Sequence, residues 1–111
     1  MDRLTQYRTI ISQALHDYAQ IPYAYGEIES KVIIDKDQNE FLIVNVGWNE
    51  RRRVHGCLIH VELRDGKVWI QRDGTEEGIV KTLLQAGIPK EHIVLAFQHV
   101  QRRQYSGYAA A

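Results

Sequence analysis

The sequence contains one cysteine and two prolines in 111 residues. Because one cysteine cannot form a disulfide within the chain, the composition favours a reducing compartment such as the cytoplasm. No apolar stretch approaches the roughly 20 residues that a membrane-spanning helix requires, and the first residues contain no apolar segment typical of a signal peptide. The sequence therefore predicts a single cytoplasmic domain, residues 1–111, with no membrane partner.

The sequence also lacks an excess of either charge, since 14 basic residues balance 14 acidic ones. A neutral chain is not expected to be a general polyanion binder, whose affinity depends on many basic contacts. The one basic run is Arg51, Arg52 and Arg53, placed at a predicted hairpin tip. A solvated turn or a contact for an acidic partner protein is favoured over phosphate binding, because three arginines supply few phosphate contacts.

No catalytic or metal-binding pattern is present. The five histidines show none of the spacings typical of metal sites, and His55 and His60, five apart on a predicted strand, are expected on opposite faces. His55 and Cys57 share a strand face, but that face is predicted to be core, where a thiol is unreactive. We therefore expect no catalytic residue, no metal and no cofactor, and no enzyme activity.

The strongest local signal is Asp65-Gly66, which is typical of a two-residue type I′ hairpin turn. This turn fixes the register of the strands on either side and gives both strands one apolar face. The predicted pairs are Leu63 with Val68, Glu62 with Trp69, Val61 with Ile70, and His60 with Gln71. Of these, Leu63, Val61, Val68 and Ile70 form the core face.

Hydrophobic periodicity predicts an α+β fold. An apolar stripe at spacings of three and four predicts a helix over about residues 2–20. Five strands are predicted at about residues 27–34, 41–48, 52–64, 67–72 and 91–97, with a short helix ending at residue 86. These elements form one antiparallel sheet of about five strands, a β-meander, with the N-terminal helix and the second short helix packed on it.

Four finer expectations concern this sheet and the short helix. Consecutive apolar residues at 41–44 predict that the second strand is covered on both faces. A two-residue turn before the third strand would place Val44 opposite His55 and Leu42 opposite Cys57. Asp73 and Glu76 resemble a capping box at the start of the short helix. At its other end, Gly87 is typical of the residue that follows a helix.

Aromatic side chains indicate a protein interface, where tryptophan and arginine are enriched. Trp69 lies on the polar face of the predicted hairpin, either packed beneath a helix or exposed for a partner, and Trp48 ends a strand. The aromatic tail, residues 98–111, is expected to pack on its own domain or on a partner. The sequence predicts a homodimer involving strand four or the tail. The candidate interface residues are Trp48, Trp69, Glu62, His60, Tyr105 and Tyr108.

Two segments carry a resemblance to a known family: residues 46–76, VGWNERRRVHGCLIHVELRDGKVWIQRDGTE, and GIPK at 87–90. Through them the whole chain resembles the XisI-like family of cyanobacteria, the excision-controlling factors of the fdxN element. In the tail, family members often have His and Pro where this chain has Gln98 and Val100, and an acidic residue at the position of Gly107.

The resemblance implies a control factor for programmed excision of a DNA element during heterocyst differentiation. Such a factor is expected to be non-enzymatic and to act with a XisH-like partner protein, with any contact to DNA indirect. The first alternative is a direct DNA-binding protein, and the second is a subunit of a metal-dependent nuclease. The residues available for phosphate or for an acidic partner are Arg51, Arg52, Arg53, Arg102 and Arg103.

Overall fold

The computed structural model describes residues 2–23 and 25–111 and begins with helix α1, Arg3–Ala19. The Asp2 carboxylate caps this helix by accepting a hydrogen bond from the Thr5 backbone N–H at 2.9 Å. One side of α1 is buried, which confirms the predicted helix and its apolar stripe. The buried residues are Tyr7, Ile11, Ala14 and Leu15.

The sheet contains five strands, and their spatial order is their order in the chain. The first four pair antiparallel, as predicted, but the fifth runs parallel to the fourth. A parallel neighbour requires a crossover connection, which the second helix supplies. The α+β fold is therefore confirmed, and the wholly antiparallel sheet is wrong at its last strand. The strands are β1 (Glu27–Ile34), β2 (Glu40–Asn49), β3 (Arg52–Arg64), β4 (Lys67–Asp73) and β5 (Ile93–Leu95).

The β3–β4 hairpin turns at Asp65 and Gly66, which both have positive φ, 53° and 76°, as a type I′ turn requires. The three predicted pairs nearest the turn are confirmed, and the four predicted core residues of this hairpin are buried. A bulge next to Val61 then shifts the register, so His60 lies opposite Arg72 and not opposite Gln71.

The β2–β3 pairing differs from the prediction. The turn has two residues and leaves Asn49 opposite Arg52. From that pair the unbroken register places Val44 opposite Cys57, so the predicted pairing with His55 is wrong from the turn onward. Leu42 lies opposite His60, beyond a bulge. The bulge adds one residue to β3, and a shift of one residue moves the following side chains to the other face. The apolar residues of β2 that join the core are therefore Phe41 and Ile43, whereas Leu42 and Val44 are half-buried on the other side of the sheet.

The sheet has two unlike faces. One face, here called the closed face, packs against α1 and the second helix, and its central side chains are buried. On the other face, here called the open face, Leu42, Val44 and Val46 of β2 are only half-buried. The prediction that β2 is covered on both sides is therefore wrong. Alternation along the strands gives the closed face Phe41, Ile43, Ile59, Val61, Leu63, Val68 and Ile70. The open face carries Glu27, Glu29, Lys31, Ile33, Leu42, Val44, Val46, Trp48, Arg53, His55 and Cys57.

Helix α2, Ile79–Gln85, is held by Asp73 without the predicted capping box. Gly78 is the N-cap, while the Asp73 carboxylate accepts from the Ile79 N–H at 2.7 Å and from the Thr75 hydroxyl at 2.6 Å. Asp73 therefore joins the end of β4 to the first turn of α2 across the loop. Glu76 lies exposed in that loop.

The end of α2 has the predicted form. The Gly87 N–H donates to the Leu84 carbonyl and the Ile88 N–H donates to the Leu83 carbonyl, both at 3.1 Å. This pair of bonds is the Schellman arrangement, and Ile88 is buried beside it. In the residues that the structure describes, no helix is long and apolar enough to cross a membrane.

The tail folds back on its own domain, one of the two predicted outcomes. It contains a short helix, α3 (Val100–Arg103), and returns along β5, where the Ala109 N–H donates to the Ile93 carbonyl at 2.9 Å. The predicted fifth strand is shorter than expected, because Lys90–His92 form a 3₁₀ turn and the chain turns again after Leu95.

Candidate protein-binding surfaces

Trp69 is buried, with 6% of its surface exposed, although it lies on the same side of the sheet as the open face. Its indole N–H donates to the Arg64 carbonyl at 3.0 Å. The guanidinium carbons of Arg64 and Arg103 lie 3.8 and 5.7 Å from its ring centroid. The sequence left Trp69 either packed beneath a helix or exposed for a partner. The structure differs from both alternatives, because the turn and the tail of its own chain cover it.

Glu62 and His60 hold neighbouring strands together. The Glu62 carboxylate accepts from the Gln71 side-chain amide at 3.0 Å and lies 3.5 Å from the Arg64 guanidinium. A His60 ring nitrogen lies 3.3 Å from the Glu40 carboxylate. Both side chains are half-buried in cross-strand contacts, so they offer a partner less free surface than the sequence suggested.

Trp48 is the predicted interface residue that the open face presents, with 49% of its surface exposed. The Arg53 guanidinium carbon lies 5.2 Å from its ring centroid, across the β2–β3 pair. Gly47 beside it fits closely against β1, because a Cβ there would lie 2.0 Å from the Glu27 carbonyl oxygen. Glycine thus allows β1 to pair with β2 from Phe41 to Trp48, which places Glu27 beside Trp48.

The predicted basic residues do not form one surface. Arg51 and Arg52 are exposed at the hairpin tip, whereas the Arg103 guanidinium is held in the tail by the Gln98 carbonyl at 3.0 Å and the Ala96 carbonyl at 3.1 Å. The tip and the tail lie at opposite ends of β3, whose 13 residues span about 40 Å. One phosphate group therefore cannot contact both groups of arginines. Arg102 is exposed, and it lies in the tail.

Three more apolar side chains are exposed in the tail and just before it, and together they are here called the tail surface: Phe97, Val100 and Tyr105. Tyr105 is 84% exposed and Phe97 is 55% exposed. Tyr108, in contrast, is half-buried on the core and lies 5.6 Å from the Lys90 ammonium. Phe97 and Tyr108 line a groove of about 340 Å³ beside α2. Of these residues, the sequence indicated Tyr105 and Tyr108 as candidate interface residues.

The sequence did not indicate Phe97 and Val100 as interface residues, and the reason is structural. The pattern predicts a strand over 91–97, but β5 ends at Leu95 because the Ala96 N–H bonds to the Val94 carbonyl and the Gln98 N–H bonds to the Leu95 carbonyl. These tight turns leave Phe97 outside the sheet, at the rim of the groove. The sequence offered one signal for this exposed site, namely an apolar run that ends in a polar, glutamine-rich segment.

Cys57 lies on the open face and not in the core, because the β3 bulge follows it. It is half-buried, and its Sγ donates to the Ile59 carbonyl at 3.3 Å. Burial raises the pKa of this thiol, and Arg72 opposes that rise. A thiol with a raised pKa is mostly protonated at neutral pH, so Cys57 is poorly suited to act as a nucleophile.

The same bulge places His55 and His60 on one face, against expectation, but the rows in which they lie are four positions apart along β2, at Val46 and Leu42. His92 bonds to the Tyr7 hydroxyl at 2.5 Å, and His99 accepts from the Gln101 N–H at the start of α3. Within residues 2–23 and 25–111, no group of histidine, cysteine and acidic residues could hold a metal ion.

Comparison with known sequences and structures gives consistent matches over the full chain. The family described as XisI protein matches residues 1–110. A crystal structure of a XisI-like protein from Anabaena variabilis is 33% identical, has a TM-score of 0.90, and covers 98% of this chain and 100% of its own. The fdxN element excision controlling factor XisI from the same organism is 32% identical, has a TM-score of 0.83, and covers 99% and 100%. No curated protein sequence matches.

Proposed function

Because the chain belongs to the XisI family, we propose that it is a control factor in the excision of a DNA element and acts by binding another protein, without catalysing a reaction itself. The observation that carries this proposal is the full-length similarity to a protein described as an excision controlling factor. Family and fold together support the role, whereas fold alone would not, because one fold serves many functions.

The partner that we propose is a XisH-like protein, and the surface that we assign to it is the tail surface. Phe97, Val100 and Tyr105 are exposed within nine residues of one another. Exposed aromatic side chains are the usual anchors of protein interfaces, because they bury a large area at low cost in conformational entropy.

The groove beside Phe97 gives the partner a place to anchor. Its apolar lining includes Val80 and Leu84 of α2, and Glu77 and Lys81 lie at its rim. An apolar side chain of the partner would enter between α2 and the tail, while the two rim charges would meet polar groups. A protein contact of this kind, unlike catalysis, does not require a side chain whose pKa is shifted.

The test is co-purification of the full chain with a XisH-like protein. Phe97→Ala and Tyr105→Ala are expected to weaken the complex by roughly tenfold each, about 1.4 kcal/mol, because each removes an exposed aromatic anchor. Tyr25→Ala is the matched control, since Tyr25 is 80% exposed in the loop before β1. A failure of two folded proteins to form a complex, or equal effects of all three changes, would contradict the proposal.

Direct DNA binding is the second candidate, and the exposed Arg51 and Arg52 are the observation in its favour. With Arg53 they would neutralise about three phosphates, so the logarithm of the binding constant would fall with the logarithm of salt concentration at a slope of about −2.7. A gel shift at low salt that is lost in Arg51→Glu would support this candidate. No retardation at low salt would exclude it and leave protein binding as the route to control.

A further inference from the structure

The open face carries an apolar row that runs along the middle of three strands. Leu42, Val44, Val46 and Trp48 project from β2, and Ile33 of β1, 48% exposed, lies opposite Leu42. On the same side of the sheet, the tail reaches β4 and β5, where Arg103 lies over Trp69 and Ala109 bridges to Val94, and both of those residues are buried. A contiguous apolar patch of this kind on a small domain is typical of a contact surface.

The charges beside this row have opposite signs on its two sides. Strand pairing places Glu27 of β1, Trp48 and Arg53 of β3 in one row across the sheet. The next row contains Glu29, Val46 and His55. In both rows the β1 residue is acidic, the β3 residue is basic, and an apolar side chain of β2 lies between them.

This arrangement is complementary to itself under one particular symmetry. A two-fold axis parallel to β2, lying between two stacked sheets, would place β1 of each copy over β3 of the other. We propose that the open face binds a second copy of this chain in that way. Glu27 then meets Arg53 of the second copy, Glu29 meets His55, and the apolar rows pack between these pairs, as in an isologous dimer.

The position of the tail supports the same axis. An axis across the strands would place β4 over β4, and the two tails that cover Trp69 would collide. An axis along β2 places the tail of each copy beyond β1 of the other, where the sheet ends. Stacked sheets of this kind cross at about −30°, so the contact is closest near β2 and opens toward the edges.

Lys31 does not contribute a pair. It falls in the row of Val44 and Cys57, and its ammonium can reach solvent along the sheet edge. The proposal thus assigns two acid–base pairs to each copy and leaves the tail surface free. It is independent of the proposed function, because a XisH-like partner would contact Phe97 and Tyr105 on a different part of the molecule.

Charge reversal gives a direct test by analytical ultracentrifugation of the full chain. Glu27→Arg alone would place like charges together twice in each dimer, and so would Arg53→Glu alone. Each variant is expected to dimerise at least tenfold more weakly than the unchanged protein. A mixture of the two is expected to recover a heterodimer, because each copy then meets an opposite charge at both sites.

A second pair, Glu29→Lys mixed with His55→Glu, repeats the test if Arg53→Glu fails to fold. Glu76→Arg, on the exposed loop before α2, is the control and is expected to leave association unchanged. An unchanged protein that stays monomeric at high concentration would overturn the proposal. So would association that both single variants retain, which would indicate pairing along the β1 edge, or two folded variants that do not recover association when mixed.

Discussion

The two faces of the sheet differ in how they are covered. The closed face is buried by α1 and α2, and its side chains Ile43, Ile59, Val61 and Ile70 have no exposed surface. On the other side of the sheet, the tail lies over Trp69 at the β4–β5 end, whereas Leu42, Val44 and Val46 of the open face are half-buried and Trp48 is exposed. We infer that the closed face provides the stability of the fold, and that the uncovered part of the open face is available for binding.

The two tryptophans give the largest expected contrast, because they lie on one side of the sheet with different cover. Trp69→Ala is expected to lower the free energy of unfolding by about 3–5 kcal/mol, as for other buried aromatic residues. Trp48→Ala should lower it by about 1 kcal/mol or less, since half of that side chain is already in water. Urea unfolding at low protein concentration measures both, and equal losses would contradict the comparison.

A second contrast uses neighbours on one strand. Ile43→Ala, on the closed face, is expected to cost about 2–5 kcal/mol, because it opens a cavity in a fully buried core. Val44→Ala, on the open face, should cost about 1 kcal/mol. The same unfolding measurement, made where the chain is monomeric, separates them. A larger loss for Val44→Ala would mean that the two faces have been exchanged.

The link between β4 and α2 tests what keeps the closed face covered. Asp73→Ala removes the acceptor of the Ile79 N–H and is expected to lower the free energy of unfolding by about 1–3 kcal/mol. Glu76→Ala, the residue of the unconfirmed capping box, is the matched control and should change it by less than about 0.5 kcal/mol. Thermal unfolding of both variants measures the two losses. A larger loss for Glu76→Ala than for Asp73→Ala would contradict this assignment and support the predicted capping box.

The smallest expected effect concerns the turn that joins β1 to β2. Asp35 accepts from the Asn39 and Glu40 N–H groups at 2.7 and 2.8 Å, and the Glu40 bond is the largest cause of the lowered pKa of its carboxyl group. Because the folded state favours the ionised form, its stabilisation is complete above about pH 4 and is lost as pH falls through the lowered pKa.

Asp35→Asn should therefore unfold with a weaker dependence on pH below about pH 4 than the unchanged protein does. Asp37→Asn, in the same turn, leaves the Asp35 bonds in place and serves as the control. Circular dichroism during acid titration follows both variants. An Asp35→Asn curve that overlays the unchanged protein would show that this turn contributes nothing to acid unfolding.

The closed face was largely predictable from local sequence. The period of α1, the Asp65-Gly66 turn and the Gly87 helix end each depend on a few adjacent residues, and all three are confirmed. The β2 register was not predictable in the same way, because one extra β3 residue moves the alternation to the other face. Gly56 was the available hint, since a glycine inside a strand often accompanies a bulge.

The candidate surfaces were less predictable than the fold. Whether Trp69 is exposed depends on where the tail returns, and that contact joins residues far apart in the sequence. The parallel direction of β5 likewise follows from the path of α2 across the sheet, which no local pattern encodes. Trp48 and Tyr105, which the sequence named as interface candidates, are exposed in the structure; their roles in binding stay predictions.

The most direct test of this account places one charge on each face of the same strand. Val44→Asp is expected to yield a folded chain that has lost self-association, whereas Ile43→Asp should fail to fold, because a buried carboxylate would have no partner. Circular dichroism with sedimentation equilibrium measures both properties at once. An unfolded Val44→Asp variant, or a folded one that associates as strongly as the unchanged protein, would contradict the division between the two faces.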